Sequence, residues 1–379
     1  MYWFFPGDYP FSFRTLRVIG NCHYGQGEFG EIMQVVEQIH SGDYDSWCTA
    51  WSKMGDKCYA EAQAAEKSGH LATSCSAYNR ATNYYHASQF YLSHDDPRKM
   101  PAYLRILECF EKGTRFDVPA PERVRIPYED SFLYAWYVRP ATSVHTSGKS
   151  PCIVWFGGLD STAEEVYYCI AKDMTRRGMS MLLVDGPGQG ASIRLNHVYS
   201  RHDYEKAGTA AFDYLETRND VDLDKVALMG WSLGGYYCPR IACFEHRYSA
   251  LVTYSAIFDY GEVWRLRPDN HPMMPYLKWI LNKDTIEEAR EEVSKFTFDN
   301  GELAGIQCPA LICYSASDQQ NQSEDLAQRL VSGMCNSPQV VFRIFTPDEG
   351  GSEHVSADNM SHANAVAGDW LQDLFGLVC

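Results

Sequence analysis

Val226-Ala-Leu-Met-Gly230-Trp-Ser232-Leu-Gly234-Gly235 is the stretch on which the reading of this chain turns. Val226 to Met229 is an apolar run of strand length, and a helix is expected from Leu233. Between them stands Gly-x-Ser-x-Gly, a motif that carries meaning only in this strand–turn–helix setting. A serine at the point of so tight a turn holds strained backbone angles, and side chains two residues to either side would collide. Gly230 and Gly234 remove those side chains, and Gly235 is expected to relax the helix start. The helix N-terminus beneath the serine favours negative charge as it develops. Ser232 is therefore the candidate nucleophile.

The same alternation runs outward in both directions. Arg123 to Pro140 reads as two antiparallel strands, and Cys152–Phe156 as a buried strand with a helix over 161–177 behind it. Met181–Val184 is followed by a helix over 203–217. Beyond the serine come strands at Leu251–Ile257, Ala310–Tyr314 and Val340–Phe345, helices near 322–332 and 355–375, and an apolar insertion over 260–300 expected to act as a lid. Strands alternating with helices build an α/β fold, a mostly parallel sheet with helices on both faces. Residues 25 to 115 have a different period. Ile32, Val35, Val36 and Ile39, then Trp47, Trp51, Met54 and Cys58, then Ala77, Ala81, Tyr84, Tyr85 and Ser88 recur at helical spacing, with a fourth helix ending near Gly113. The chain is thus expected to comprise an all-α cap domain over 1–117 and a catalytic domain over 118–379. The Trp and Tyr stripes read first as helix–helix core and secondarily as cavity lining.

Composition narrows the function. Lys plus Arg number 33 against 49 Asp plus Glu, a net charge of −16, so nucleic acid and anionic membrane are poor partners. The 13 cysteines are odd in number and contain no C-x-x-C pair, which fits reduced thiols in the cytoplasm and neither a disulfide framework nor zinc. The apolar N-terminus is broken at Pro6-Gly7 and lacks the features of a signal peptide. No apolar run is long enough to span a bilayer. No His/Cys/carboxylate cluster has ligand spacing, so no metal or cofactor is expected. Aromatics reach 14%, with 25 Tyr, a surplus suited to a small, flat, conjugated ligand. A homodimer is compatible with the sequence. Asn-Gln-Ser at 321 and Asn-Met-Ser at 359 are sequons without consequence in a cytoplasmic chain.

A Gly-x-Ser-x-Gly turn in this alternation resembles the α/β-hydrolase fold, where the triad follows in the chain order Ser, acid, His. Of the histidines after Ser232, His354 lies in a polar loop between the last strand and the final helix, the place for a general base. His362 falls within that helix and reads as structural; His271, in the insertion, is a candidate substrate contact. Asp318, just past the strand before the last, is the candidate acid, with Asp259 at the end of the preceding strand as its rival; a helix N-cap is the plainer role for either. The oxyanion donors are expected to be the N–H of Leu233 and that of Leu159 or Gly158, in Phe156-Gly-Gly-Leu-Asp160. Asp185-Gly-Pro-Gly-Gln-Gly190 has the look of a phosphate loop but lacks its Lys-Ser/Thr, and reads as a turn.

Phe156-Gly-Gly-Leu-Asp-Ser-Thr-Ala-Glu-Glu165, Asp185–Gly190, Gly230–Gly235 and Ser352-Glu-His354 together resemble the subfamily of 2,6-dihydroxypseudooxynicotine hydrolase and the fungal polyketide-shortening hydrolases of melanin pathways. The likeness covers nearly the whole chain, helical domain included. It implies a Ser/His/Asp hydrolase without metal or organic cofactor, cleaving a C–C bond of a β-diketone or acyl-arene, or an ester, with its pocket between helical domain and sheet. Acyl transfer to an alcohol or amine is the alternative, and a silent binding protein on the same fold the last. A C–C reaction needs a polar group to hold the enol or phenol of the departing half. Asp259, Tyr260 and Glu262 are the candidates, with Tyr236 and Tyr237 beside the serine and Trp264 in the insertion as further substrate contacts.

Overall fold

The computed structural model describes residues 2–141, 148–320 and 323–377, so the sequon at 321 lies largely outside the described residues. The chain divides into two compact units, Met1–Pro121 with Tyr167–Cys169, and Glu122–Val166 with Ile170–Cys379. The division falls at 121/122, four residues beyond the expected 117/118.

The first unit is helical: α1 (Tyr9–Gly20), α2 (Phe29–Val36), α3 (Tyr44–Lys67), α4 (Leu71–Ser88) and α5 (Lys99–Thr114). Helix α1 precedes the region expected to be helical. Its start is written locally, for the Asp8 carboxylate accepts the Phe11 N–H at 3.1 Å and Pro10 stands in the first turn. Asp43 caps α3 in the same way, through Asp45 and Ser46 N–H. Trp47, Trp51, Met54 and Cys58 are buried along one face of α3, and Ala77, Ala81, Tyr84, Tyr85 and Ser88 are buried on α4. Phe11 sits edge-on to Trp47 at 4.8 Å, and Trp51 lies 5.7 Å from Tyr84. These aromatics form the core of the helical unit, each large buried side chain contributing about 1.5–3 kcal/mol.

The second unit is built on one eight-stranded sheet: β1 (Glu122–Tyr128), β2 (Ser131–Val138), β3 (Ser150–Phe156), β4 (Ser180–Asp185), β5 (Val221–Gly230), β6 (Ala250–Thr253), β7 (Ala310–Ser315) and β8 (Val340–Phe345), in spatial order β1-β2-β4-β3-β5-β6-β7-β8. The β1–β2 and β2–β4 pairs are antiparallel and all others parallel. Strands β3 and β4 are buried at every position, as a parallel sheet covered on both faces requires. Its helices are α6 (Ala163–Val166), α7 (Lys172–Arg176), α8 (Gly190–Asn196), α9 (Glu205–Glu216), α10 (Gly234–Phe244), α11 (Tyr260–Arg265), α12 (Met274–Ile280), α13 (Ile286–Val293), α14 (Glu324–Gly333) and α15 (Met360–Phe375).

Four expectations need correction. The helix over 161–177 is broken, since a π-helical turn at Tyr167–Ala171 separates α6 from α7. The strand expected over 251–257 stops at Thr253, because residues beyond Tyr254 leave the sheet to buttress the serine turn. The final helix begins at Met360, not 355, so His362 lies in its first turn. Finally, Gly190 opens a helix, α8, where only a turn was expected. The insertion over 260–300 consists of α11, α12 and α13.

Candidate active site

The serine turn is built by contacts at its flanks. Ser232 has φ +52°, in the left-handed region that L-residues rarely adopt. A Cβ on Gly230 would stand 2.6 Å from Phe156 O, and one on Gly234 2.3 Å from the same oxygen. Gly235 has a different task from the one expected: its Cβ would meet Ser255 O at 2.1 Å, so it permits packing against the chain beyond β6. Ser255 Oγ accepts the Ser232 N–H at 3.2 Å, which ties the turn to the same segment. Trp231 and Leu233 are buried, while Ser232 is partly exposed.

Ser232, His354 and Asp318 come together from three different loops. His354 Nε2 lies 3.0 Å from Ser232 Oγ, and its Nδ1 lies 2.7 Å from Asp318 Oδ2. Asp318 Oδ1 accepts the Gln320 N–H at 2.7 Å, so both carboxylate oxygens are engaged. The His354 and Asp318 side chains are only 7% and 5% exposed, which shields their pairing from water. The loop around His354 is shaped by Asp358, whose carboxylate accepts N–H groups from Gly351, Ser352 and Glu353 at 2.8–3.2 Å. Val355 and Ser356 sit at φ +52° and +57°, a second pocket of backbone strain directly beside the histidine. A β-branched residue is an outlier there, and it is held by its surroundings.

Asp259 is elsewhere. It is the N-cap of α11, accepting the Glu262 N–H at 2.9 Å, and Arg265 approaches it at 3.7 Å. The acid beside His354 is Asp318.

The two candidates for the second oxyanion donor separate cleanly. The Gly158 N–H donates to Ser161 Oγ at 2.8 Å and is already used. Leu159 and Leu233 N–H make no hydrogen bond with the described residues. Gly158 instead supplies space, since a Cβ there would stand 2.8 Å from Ser232 Cβ. The loop is held on both sides. Trp231 Nε1 donates to Ser161 Oγ at 2.6 Å, and Gln189 Nε2 donates to Gly157 O and Gly158 O at 2.6 and 2.9 Å. This explains the apparent phosphate loop. The acceptor here is internal: the Asp185 carboxyl group accepts Ala163 N–H at 2.9 Å and Ala191 N–H at 2.7 Å. Burial, reinforced by Glu164, pushes the Asp185 carboxyl up to about 8. Glu164 is raised too, mainly by burial; its Oε1 accepts Trp136 Nε1 at 2.8 Å while its Oε2 is buried without a hydrogen-bond partner among the described residues.

Of the remaining candidates, Tyr260 and Trp264 lie on α11 and Tyr236 and Tyr237 on α10. Tyr260 is 3% exposed and Trp264 fully buried, their rings 6.1 Å apart. Tyr236 donates its hydroxyl to His202 O at 2.9 Å, and Tyr237 shares a hydrogen bond with Ser200 at 2.6 Å, so both phenols are tied into the fold. His271 Nδ1 accepts the Met273 N–H at 3.2 Å. Among the described residues no group of His, Cys, Asp or Glu is placed to hold a metal ion.

Comparison with known proteins agrees with this fold. A model of the prolyl oligopeptidase family matches residues 170–377, and a model of the FrsA-like esterases matches residues 30–263. Hydrolase LUC6 of Fusarium sp is 31% identical over 83% of this chain and 84% of its own length. The chain is an α/β-hydrolase of these families. The hydrolase is also 29% identical to 20-hydroxy-prefusarin hydrolase FUS2 of Gibberella moniliformis, over 82% of this chain and 83% of that one. Its fold is that of a 2,6-dihydroxy-pseudo-oxynicotine hydrolase, with a TM-score of 0.78, 23% identity and coverage of 95% and 96%. Among the described residues no helix of the hydrolase is long and apolar enough to cross a membrane.

Gln189, Ser161, Ser255 and Asp358 were missed as site residues. Gln189 and Ser161 stand inside stretches read for other residues, and each of the four acts by hydrogen-bonding backbone, Ser161 and Asp358 within their own loops and Gln189 and Ser255 across to another. Asp358 alone leaves a trace, an Asp just beyond a Gly-Gly-containing loop and just before a helix.

Proposed function

We propose that the enzyme is a serine hydrolase that cleaves a C–C bond of β-diketone or acyl-arene type, or an ester, in an aromatic or polyketide-like metabolite. The observation that carries this reading is the continuous chain from Ser232 Oγ through His354 to Asp318, at 3.0 and 2.7 Å. In this scheme His354 Nε2 takes the proton of Ser232 as its Oγ attacks the substrate carbonyl. Asp318 holds the ring and stabilises the imidazolium. The N–H groups of Leu159 and Leu233 receive the oxyanion, aided by the N-terminus of α10. Collapse of the tetrahedral intermediate expels a carbanion or alkoxide, which takes the proton from His354. Water then attacks the acyl group on Ser232, with His354 again as base, and releases the acid. No step calls for a metal or organic cofactor. The name of the fungal relative, a hydrolase of 20-hydroxy-prefusarin, supports a secondary metabolite as substrate. Every described cysteine is a free thiol, in keeping with a cytoplasmic site of action.

Mass measurement after brief exposure to a fluorophosphonate, and then to a β-diketone and its matched ester, tests the scheme. The expected result is a single adduct on Ser232, absent in Ser232→Ala, whose kcat falls by about 10⁴ to 10⁶. Retention of about a tenth of the wild-type rate by that variant would defeat it. Release of an ester or amide in place of an acid, when an alcohol or amine is supplied, would make the enzyme an acyltransferase.

A further inference from the structure

Two residues beyond α11, Arg267 places its guanidinium over the Trp264 ring, 4.4 Å from the centroid. Its Nη2 donates to Gln320 O at 2.7 Å, and the Gln320 N–H in turn donates to Asp318 Oδ1 at 2.7 Å. Arg267 therefore stands one residue removed from the acid beside His354. The Arg267 carbonyl is itself pinned by Arg290 Nη2 at 2.8 Å, and Arg290 is paired with Asp269 at 2.7 Å. The backbone under this side chain is thus held in place.

The guanidinium has five N–H donors, and among the described residues it makes one hydrogen bond and no ion pair. Desolvation depresses its pKa, and the neighbouring Tyr260 and Asp318 offset only part of that. Asp318 is not available as a partner, because its two oxygens are engaged by His354 and Gln320. Arg267 is part-buried, and a cation partly withdrawn from water without a carboxylate carries a desolvation cost that a bound anion would relieve. An arginine present only to brace the Asp318 loop would need no such exposure to an uncompensated charge.

We propose that Arg267 is a specificity-determining residue that binds an anionic oxygen of the substrate, a carboxylate or the enolate or phenolate of the departing half, beside Tyr260 and Trp264. The inference rests on the proposed function and assigns the chemistry of its substrate. A planar fork over an aromatic ring suits an oxyanion conjugated to a flat system.

Two pairs of esters test it. Phenyl acetate against 3-acetoxybenzoate places charge on the leaving half, and phenyl pentanoate against phenyl hydrogen glutarate places it on the acyl half. In Arg267→Gln the ratio of charged to neutral kcat/KM is expected to fall about tenfold or more for one pair, which identifies the half that is bound. Arg267→Lys should recover part of that ratio. An unchanged ratio in both pairs, even with all rates lowered, would overturn the proposal and leave Arg267 as a support for the Asp318 loop. A second arm reads binding without turnover: calorimetry of 3-hydroxybenzoate and of glutarate on Ser232→Ala, with Arg267 intact or replaced by Gln. Binding that weakens about tenfold on loss of Arg267, when the wild type cleaves neither ester nor β-diketone, would overturn the proposed function and uphold this inference. Binding indifferent to Arg267, when the wild type cleaves either substrate through Ser232, would overturn this inference and leave the proposed function standing.

Discussion

At the scale of single residues, two aspartates that look alike in sequence hold different work. Asp318 gives one oxygen to His354 and the other to Gln320, whereas Asp259 caps α11. The two isosteric amides should therefore diverge. Asn caps a helix about as well as Asp, so Asp259→Asn should stay within a few-fold of wild type. Asn at 318 would leave the imidazole in the wrong tautomer, a change that costs about 10⁴ in a serine protease. Comparing kcat/KM of the two variants on one ester decides the matter, and an inactive Asp259→Asn beside an active Asp318→Asn would reverse the assignment. Asp318 and His354 could be named from order along the chain, since each follows a strand end. The choice of Leu159 over Gly158 as oxyanion donor could not, because it depends on Ser161 Oγ having folded back onto Gly158 N–H.

At the scale of elements, the turn Asp185–Gly190 clamps the loop after β3. Gln189 reaches across to two carbonyls of that loop, and Tyr204 Oη braces Gln189 Oε1 at 3.2 Å. Gln189→Glu exchanges the shared donor for an acceptor that faces two carbonyl oxygens. The loop should shift, and with it the Leu159 N–H. We expect kcat to fall about 10- to 1,000-fold with little change in KM, because one oxyanion donor is worth up to about 10³ and serves the transition state alone. An unchanged kcat, or a loss confined to KM, would show that the clamp does not position the donor. The helices of the first unit were legible because Trp47, Trp51, Met54 and Cys58 repeat at the period of a buried face. Helix α1 lies outside the periodic region, although Asp8 and Pro10 mark its start locally. The π-turn at Tyr167–Ala171 has no local signature that would have betrayed it.

At the scale of the whole molecule, stability should carry the mark of the buried Glu164 and Asp185. Both carboxyls are raised by burial, Asp185 to about 8, so the folded state holds a proton that the unfolded chain has released by neutral pH. Their contribution is full below the ordinary carboxylate range, near pH 4, and declines as pH rises through about 8. Glu164→Gln keeps the acceptor for Trp136 Nε1 and removes one of the two acids. It should flatten that decline and raise stability at pH 8 by about 1 kcal/mol or more. Urea unfolding at pH 5 and pH 8 checks this, and an equal pH dependence in variant and wild type would show that the pair does not share a retained proton. The sequence by itself determined the α/β class, the helical first unit, the serine turn and the order of Ser232, Asp318 and His354 along the chain. These follow from periodicity and from short-range steric demands, which act between neighbours in the chain. Only the tertiary structure decided which loop amide has no hydrogen bond among the described residues, what Asp185, Gln189 and Asp358 hold, where β6 ends, and that Arg267 stands near Asp318 with no ion pair among the described residues. The Gln189 clamp and the Arg267 contact join segments tens of residues apart, and even the short-range bonds of Ser161 and Asp358 depend on loop shapes that no local pattern writes.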